Sequence, residues 1–122
     1  RMLSSMTPTI VEKDGKLFMV VGTPGGSTIM TSVFQTILNV IDWGMNMQEA
    51  VDAPRFHHQW LPDEVAAEKA AISSETRNRL SQKGYKLVER QAIGRVDAIL
   101  ISENGTYIGG ADRRGDDKAV GY

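Results

Sequence analysis

Two adjacent glycines, Gly25 and Gly26, lie where an apolar strand gives way to an apolar helix, within the stretch VVGTPGGSTIM. Glycine allows backbone dihedrals and close approaches that a Cβ would block. The first N–H groups of a helix lack intrahelical partners and carry a partial positive charge. Successive free N–H groups at such a turn form a pocket for negative charge. The turn is therefore suited to hold an anion by its main chain alone.

Three interpretations of this glycine pair compete. The simplest is a tight strand-to-helix connection that binds nothing. A phosphate site is the second, but neither the GxxxxGK[ST] pattern nor the GxGxxG pattern is present. The third is an oxyanion hole, in which paired N–H groups stabilise the charge that develops on a carbonyl oxygen during acyl transfer. The glycines by themselves do not decide among the three.

The only histidines, His57 and His58, are neighbours in the sequence, and neighbouring side chains of an extended segment point to opposite faces. The pair is therefore poorly placed to share one metal ion, and packing or hydrogen bonding is the favoured interpretation. A catalytic triad of Ser5, His58 and an aspartate is disfavoured because no GxSxG elbow surrounds Ser5. We expect neither a metal site nor a cofactor.

Local patterns predict the elements that must position the glycine pair. Asp14-Gly15 separates TIVEK (residues 9–13) from KLFMVV (residues 16–21), and an Asp-Gly pair between apolar runs favours a two-residue hairpin turn. The second run is almost continuously apolar, which suits a central strand covered on both faces. Apolar residues at helical spacing predict a helix over residues 28–42.

The second half of the chain mixes short helices, strands and loops. A helix is predicted over residues 46–53, where Asn46 and Glu49 form a capping box, and residues 55–69 are predicted to be mainly loop with a short strand. The other predicted elements are a helix from Ser73 or Ser74 to about Gln82, a strand over 85–89, and a hairpin of strands 96–102 and 106–111. The charged tail from Asp112 onward is predicted to be a solvated loop whose ion pairs contribute little. This mixture favours an α+β fold of mainly antiparallel sheet with packed helices.

The bulk composition excludes several classes of function. The chain has 122 residues, no cysteine and a formal net charge of −1. Such a charge gives no electrostatic basis for binding nucleic acid or an anionic membrane. The lack of cysteine rules out disulfides, thiolate metal sites and a cysteine nucleophile. The apolar stretches are interrupted by polar residues and are too short to span a bilayer.

Four stretches taken together carry a family resemblance: LSSMTPTIVEKDGK, VVGTPGGS, EAVDAPRFHHQWLPDEVAAEK and the ending AVGY. In this order, from Leu3 to Tyr122, they closely resemble the small catalytic subunit of the γ-glutamyltranspeptidases. The resemblance implies part of an N-terminal-nucleophile hydrolase, an αββα sandwich in which a self-cleaved precursor exposes a threonine nucleophile. It also implies attack on the γ-glutamyl amide of glutathione or a relative, through a γ-glutamyl ester, with transfer to water or to an amine.

The resemblance implies roles for four residues. The hydroxyls of Ser4 and Ser5 would bind the α-carboxylate of the glutamyl group, and the N–H groups of Gly25 and Gly26 would form the oxyanion hole. Hydroxyls suit the first role because they donate hydrogen bonds to a carboxylate without adding charge. The implied partners are glutathione or another γ-glutamyl compound, a large subunit and the upstream part of the small subunit. A periplasmic or secreted location is implied as well.

One departure from the family pattern bears on activity. The family's threonine lies upstream of the SSM motif, whereas this sequence begins only three residues before that motif. We therefore expect residues 1–122 to form a single partial domain, the C-terminal portion of the catalytic subunit without its nucleophile segment. On its own this polypeptide is expected to be inactive toward a chromogenic γ-glutamyl anilide. It is also expected to self-associate through exposed strand edges and apolar surface.

Two alternatives to γ-glutamyl transfer or hydrolysis stay open. A non-catalytic glutamyl-binding or structural module would keep the pocket without the chemistry. A related enzyme, such as an acylase acting on glutaryl amides or an enzyme that cleaves poly-γ-glutamate, would keep both. Ser4 and Ser5 favour a substrate with a glutamyl-like carboxylate, which all of these share.

Overall fold

The computed structural model describes residues 7–121, which divide into two compact units. The first unit contains the described residues up to Ala53 and from Gly94 onward, and the second unit is Pro54–Ile93. In chain order the elements are β1 (Thr9–Lys13), β2 (Lys16–Gly22), α1 (Ile29–Ile41), α2 (Met47–Asp52), β3 (Phe56–His57), β4 (Val65–Ala67), α3 (Ser74–Gln82), β5 (Leu87–Glu89), β6 (Asp97–Ile101) and β7 (Tyr107–Ala111). The α+β class is confirmed, and the single partial domain stays a prediction.

The first unit contains a four-stranded sheet in the order β1-β2-β6-β7, with every neighbouring pair antiparallel. The predicted hairpin joins β1 to β2. Its turn residues Asp14 and Gly15 have φ of 54° and 73°, as a type I′ turn requires. The second predicted hairpin joins β6 to β7. Each hairpin turn contains a glycine at positive φ, Gly15 in the first and Gly105 in the second, and glycine adopts this conformation at low cost.

The strand β2 is central, as predicted, but only one of its faces is covered by described residues. Met19 and Val21 are fully buried, whereas Val20, which points to the opposite face, is exposed. The cross-strand partners of Val20 are Ile10 and Ile99, and both are exposed as well. The open face of this sheet is therefore an apolar stripe across three strands, consistent with the predicted self-association, which stays a prediction.

The helices α1 and α2 cover the other face of the sheet. One core joins them to β2 and β6, and it consists of Met19, Val21, Val33, Val40, Met47, Ala50, Val51, Val96 and Ala98. Burying each of the larger side chains stabilises the fold by roughly 1.5–3 kcal/mol. Within the described residues, no helix is long and apolar enough to cross a membrane.

A capping box begins α2, as the sequence predicts. The Asn46 side chain accepts the Glu49 N–H at 2.9 Å, and the Glu49 carboxylate accepts the Asn46 N–H at 3.0 Å. We expect Asn46→Ala to lower the free energy of unfolding by about 1 kcal/mol, because the Glu49 N–H loses its side-chain acceptor. The measurement is denaturant unfolding of the whole protein, meaning the complete product of the reading frame that contains these residues. Asn78→Ala, at an exposed position inside α3, is the control and should be neutral or slightly stabilising. Equal losses in both variants would contradict the capping assignment.

The prediction that the tail from Asp112 onward is a solvated loop is wrong at two positions. The Asp112 side chain is fully buried and accepts the Val96 N–H at 2.8 Å. Arg114 donates to Asp112 at 2.9 Å and also donates to the carbonyls of Val51 and Ala53 at 3.1 and 3.0 Å. The physical reason is that the last carbonyls of α2 lack intrahelical donors, and the partly buried guanidinium of Arg114 supplies them.

The second unit contains a three-stranded sheet in the order β3-β4-β5. The strands β3 and β4 are antiparallel, whereas β4 and β5 are parallel. The expectation of mainly antiparallel pairing therefore holds for the chain as described, with this pair as the exception. A parallel pair needs a crossover connection, and α3 lies between β4 and β5 in the chain.

A buried carboxylate holds the second unit together. Glu68 is 5% exposed, and its two oxygens accept the N–H groups of Arg55 at 3.0 Å and Ile93 at 2.7 Å. The guanidinium of Arg55, a residue that is 1% exposed, donates to the Ile93 carbonyl at 2.9 Å. The side chain of Glu68, which directly follows β4, thus links the start of this unit at Arg55 to its end at Ile93.

Candidate active site

The candidate site is the glycine turn, residues 23–28, which connects β2 to α1 in the first unit. Gly25 has φ of 147° and ψ of 10°, and Gly26 has φ of 60°. A single 3-10 turn, Gly26–Thr28, then leads into α1. The φ of Gly25 lies in a region that L residues rarely adopt, so the path of this turn depends on glycine.

The two amide nitrogens of the pair lie side by side. The angle ψ is the N–Cα–C–N torsion. Its value of 10° at Gly25 places the nitrogens of Gly25 and Gly26 on the same side of the Cα–C bond, nearly eclipsed. Both residues are exposed, and within residues 7–121 neither N–H donates a hydrogen bond. Two neighbouring free donors in this arrangement form a concave site for an oxygen that carries negative charge.

The space around the two glycines differs. A Cβ on Gly25 would lie 2.7 Å from Thr28 Oγ1 and 3.5 Å from the Cα of Gly94, so that position is closed. A Cβ on Gly26 would meet no atom within 4 Å. The turn is therefore packed against the protein at Gly25 and open at Gly26, on the side where a ligand could approach.

The electrostatic setting favours an anion at this turn. The helix α1 has 13 residues, and its N-terminal end follows directly on the 3-10 turn. Neither α1 nor the 3-10 turn has an acidic residue in its first turn. The partial positive charge of the helix start therefore acts on the glycine turn without a neighbouring carboxylate from these elements.

Several residues that pack behind the turn were not predicted from the sequence. Thr23, Thr28 and Ser32 are each at most 1% exposed, and all three have hydroxyls that are hydrogen-bonded. A Cβ on Gly94 would lie 2.6 Å from Ser32 Oγ and 3.2 Å from Thr23 Oγ1. The available signal was the pair of threonines that flanks the glycines in TPGGST. The approach of Gly94, about 70 residues later, had no local signal.

An ion-pair cluster anchors the tail beside the turn. The Arg95 guanidinium hydrogen-bonds to Asp117 and, at 2.9 Å, to Asp116, while its main-chain N–H donates to Thr23 Oγ1 at 2.8 Å. The hydrogen bond from Arg95 lowers the pKa of Asp117. A lowered carboxyl pKa means that this link contributes stability at neutral pH and loses it only as the pH falls through that pKa.

The remaining residues considered for a site are Ser4, Ser5 and the two histidines. Ser4 and Ser5 lie outside the described residues, so their role in an α-carboxylate pocket stays a prediction. His57 Nε2 lies 2.8 Å from Gln59 Oε1, and His58 Nε2 lies 3.2 Å from Asp63 Oδ1. Among residues 7–121 no group of three or more histidine, aspartate or glutamate side chains could hold a metal ion. The histidines thus serve local hydrogen bonding.

Comparison with known proteins gives a consistent result along the chain. A family model described as gamma-glutamyltranspeptidase matches residues 1–122. The chain is 50% identical over 123 residues to the glutathione hydrolase proenzyme of Escherichia coli strain K12, covering 100% of this chain and 21% of that protein. It is 36% identical over 121 residues to the acylase ACY 1 proenzyme of Pseudomonas sp. strain V22, covering 98% of this chain and 21% of that protein. The chain thus spans about one fifth of the length of these curated relatives.

A solved structure agrees with these relatives. The crystal structure of a mutant Helicobacter pylori gamma-glutamyltranspeptidase superposes with a TM-score of 0.86 at 49% identity. The superposition covers 93% of this chain and 62% of that chain. The predicted fold class, part of an N-terminal-nucleophile hydrolase αββα sandwich, is confirmed.

Proposed function

Because the chain belongs to the γ-glutamyltranspeptidase family, we propose that the whole protein transfers γ-glutamyl groups from glutathione and related amides to water or to an amine. The observation that carries this proposal is the pair of adjacent N–H groups at Gly25 and Gly26, neither of which donates a hydrogen bond within residues 7–121. Acyl transfer needs such donors where charge develops on a carbonyl oxygen. In this proposal residues 1–122 supply the oxyanion hole and part of the substrate pocket.

The proposed reaction has two halves. A threonine hydroxyl from another part of the whole protein attacks the γ-carbonyl carbon, and the carbonyl oxygen takes up negative charge facing Gly25 and Gly26. Collapse of this intermediate re-forms the carbonyl, breaks the C–N bond and leaves a γ-glutamyl ester, while the hydroxyl proton leaves with the amine. Water or a second amine then attacks the ester by the same route and releases the threonine. The same two N–H groups serve both halves.

The hydroxyls of Ser4 and Ser5 have a separate role in this proposal. They donate hydrogen bonds to the α-carboxylate, which fixes the glutamyl chain so that its γ-carbonyl reaches the glycine turn. The proposal includes a large subunit and the remainder of the small subunit as partners in the whole protein. A periplasmic or secreted location is part of the same proposal.

The test is an assay of the purified whole protein with γ-glutamyl-p-nitroanilide, with and without a dipeptide acceptor. We expect turnover above a buffer blank, and an increase with acceptor if transfer contributes. α-Glutamyl-p-nitroanilide, which presents the wrong carbonyl, is the control and should give no turnover. A folded protein that binds γ-glutamyl compounds without turning them over would instead support a non-catalytic module.

A second candidate function is amide hydrolysis by an acylase. The observation that favours it is the 36% identity to the acylase ACY 1 proenzyme over 98% of this chain. Glutaryl-p-nitroanilide separates the two candidates, because it keeps the terminal carboxylate but lacks the α-amino group. A kcat/KM higher for the glutaryl than for the γ-glutamyl substrate would favour the acylase. The poly-γ-glutamate alternative is tested with the polymer as substrate.

A further inference from the structure

We propose that Thr23 and Thr28 are positioning residues that aim the N–H groups of Gly25 and Gly26, with Thr23 the more important of the two. This inference rests on the proposed function, because it concerns the donors of the proposed oxyanion hole. A main-chain donor has no side chain that can be tuned. Its direction is set instead by whatever holds the other end of its peptide plane.

The Gly25 N–H belongs to the peptide plane that also contains the Pro24 carbonyl. In a planar trans peptide the C=O and N–H bonds point in opposite directions, so fixing one fixes the other. Thr23 Oγ1 donates a hydrogen bond to the Pro24 oxygen at 2.7 Å. The Thr23 hydroxyl therefore determines where the Gly25 N–H points.

The Gly26 N–H is fixed by the same principle. Its peptide plane contains the Gly25 carbonyl, which accepts two hydrogen bonds from Thr28: one from the main-chain N–H at 3.2 Å and one from Oγ1 at 2.9 Å. Each of the two proposed donors is thus held from behind by a threonine hydroxyl. No acidic or basic side chain takes part in either arrangement.

The Thr23 hydroxyl has only one direction available for its proton. Its oxygen accepts the Arg95 N–H at 2.8 Å, so its own hydrogen points to the Pro24 carbonyl. Thr23 is 0% exposed, and the Gly94 backbone lies close to its hydroxyl, since a Cβ on Gly94 would lie 3.2 Å from Oγ1. The hydroxyl that makes this contact is therefore held by the buried structure behind the turn.

The two threonines are not equivalent. Removing the Thr28 hydroxyl leaves the main-chain N–H of Thr28 on the Gly25 carbonyl, so the Gly26 plane keeps one of its two hydrogen bonds. Removing the Thr23 hydroxyl leaves the Pro24 carbonyl without its donor from Thr23 and the Arg95 N–H without its acceptor. We therefore expect the Gly25 donor to be the more sensitive one.

The test compares four variants of the whole protein with γ-glutamyl-p-nitroanilide: three isosteric threonine-to-valine replacements and Thr23→Ser. We expect Thr23→Val to lower kcat by about tenfold or more with KM within about twofold of the wild-type value, since a misaimed donor loses much of its effect. Thr23→Ser keeps the hydroxyl and should restore kcat to within about threefold. Thr28→Val should lower kcat by a smaller factor, about threefold. Thr36→Val is the matched control: Thr36 is equally buried and its Oγ1 donates to the Ser32 carbonyl at 3.0 Å, away from the turn.

The outcomes separate the inference from the proposed function. If the wild-type protein turns over no γ-glutamyl substrate, the proposed function fails and the positioning roles fall with it. If the wild type is active and Thr23→Val keeps the kcat of Thr36→Val, only the inference is overturned. If Thr23→Val does not fold, as its melting curve would show, Thr28→Val and Thr23→Ser decide. In that case the inference is contradicted if Thr28→Val has the kcat of Thr36→Val, or if the kcat of Thr23→Ser is more than about tenfold below the wild-type value.

Discussion

Gly25→Ala is expected to lower the kcat of the whole protein for γ-glutamyl-p-nitroanilide by roughly 10²–10³-fold, the loss found when an oxyanion donor is removed. Alanine cannot adopt φ of 147° without strain, and its Cβ would lie 2.7 Å from Thr28 Oγ1. The turn must therefore refold locally, and a shifted ψ at Gly25 separates the two amide nitrogens. The α-carboxylate contacts lie elsewhere in the proposal, so KM should change by only a few-fold.

Two further glycine variants separate the effect of the turn's geometry from that of backbone strain. Gly105→Ala introduces a Cβ at φ of 84° in the β6–β7 turn with no atom within 4 Å, and it should leave kcat unchanged. Gly26→Ala places a Cβ at φ of 60° in open space, so its cost is mainly the left-handed conformation, about 1–2 kcal/mol. We expect a smaller loss of kcat for Gly26→Ala than for Gly25→Ala. If Gly25→Ala and Gly105→Ala had equal kcat, the turn would have no role in the chemistry.

The largest effect on stability is expected at Glu68. Replacing it with alanine should lower the free energy of unfolding by about 3–5 kcal/mol. The reason is that two buried N–H groups, of Arg55 and Ile93, would lose their acceptors within a region that also encloses the Arg55 guanidinium. An unsatisfied buried donor costs about 1–3 kcal/mol on its own.

The measurement is denaturant unfolding of purified whole protein, with a drop in soluble yield as the cruder sign. Glu64→Ala is the control, because Glu64 pairs with Lys86 at 2.9 Å at the surface. Such a pair is worth about 1 kcal/mol or less. Glu68→Gln keeps one acceptor oxygen and should fall between the two. Equal unfolding midpoints for Glu68→Ala and Glu64→Ala would show that the buried carboxylate does not hold the second unit together.

Features with a local cause could be predicted from the sequence. The β1–β2 turn follows from Asp14-Gly15, because both positions need positive φ, and the start of α2 follows from Asn46 and Glu49. The strand-to-helix junction at the glycine pair also has a local cause. The glycines separate an almost continuous apolar run, which favours a strand, from apolar residues at helical spacing. In each case a few adjacent residues contain the whole physical reason.

Features with a distant cause could not be predicted. Asp112 and Arg114 look like members of a solvated tail, yet Asp112 is buried and Arg114 is largely covered, because they hydrogen-bond to Val96 and to the end of α2. The role of Glu68 depends on residues 13 and 25 positions away. Which partners a polar side chain has is decided by long-range packing, so composition alone assigns such residues to the surface.

The apolar run of β2 shows how the two kinds of information combine. Its sequence predicts burial on both faces, whereas Val20 and its cross-strand partners Ile10 and Ile99 are exposed. In an αββα sandwich one face of each sheet packs on helices and the other on the second sheet. The exposed stripe is what this fold class leads us to expect where only one sheet of the sandwich is considered.

The most direct test of the central claim is a crystal structure of the whole protein with a γ-boronic acid analogue of glutamate, which forms a tetrahedral adduct with a hydroxyl nucleophile. We expect one boronate oxygen about 2.7–3.1 Å from the amide nitrogens of both Gly25 and Gly26. The α-carboxylate of the analogue should lie against Ser4 and Ser5. An adduct whose oxygens all lie beyond hydrogen-bond distance of both glycine nitrogens would show that the glycine turn is not the oxyanion hole.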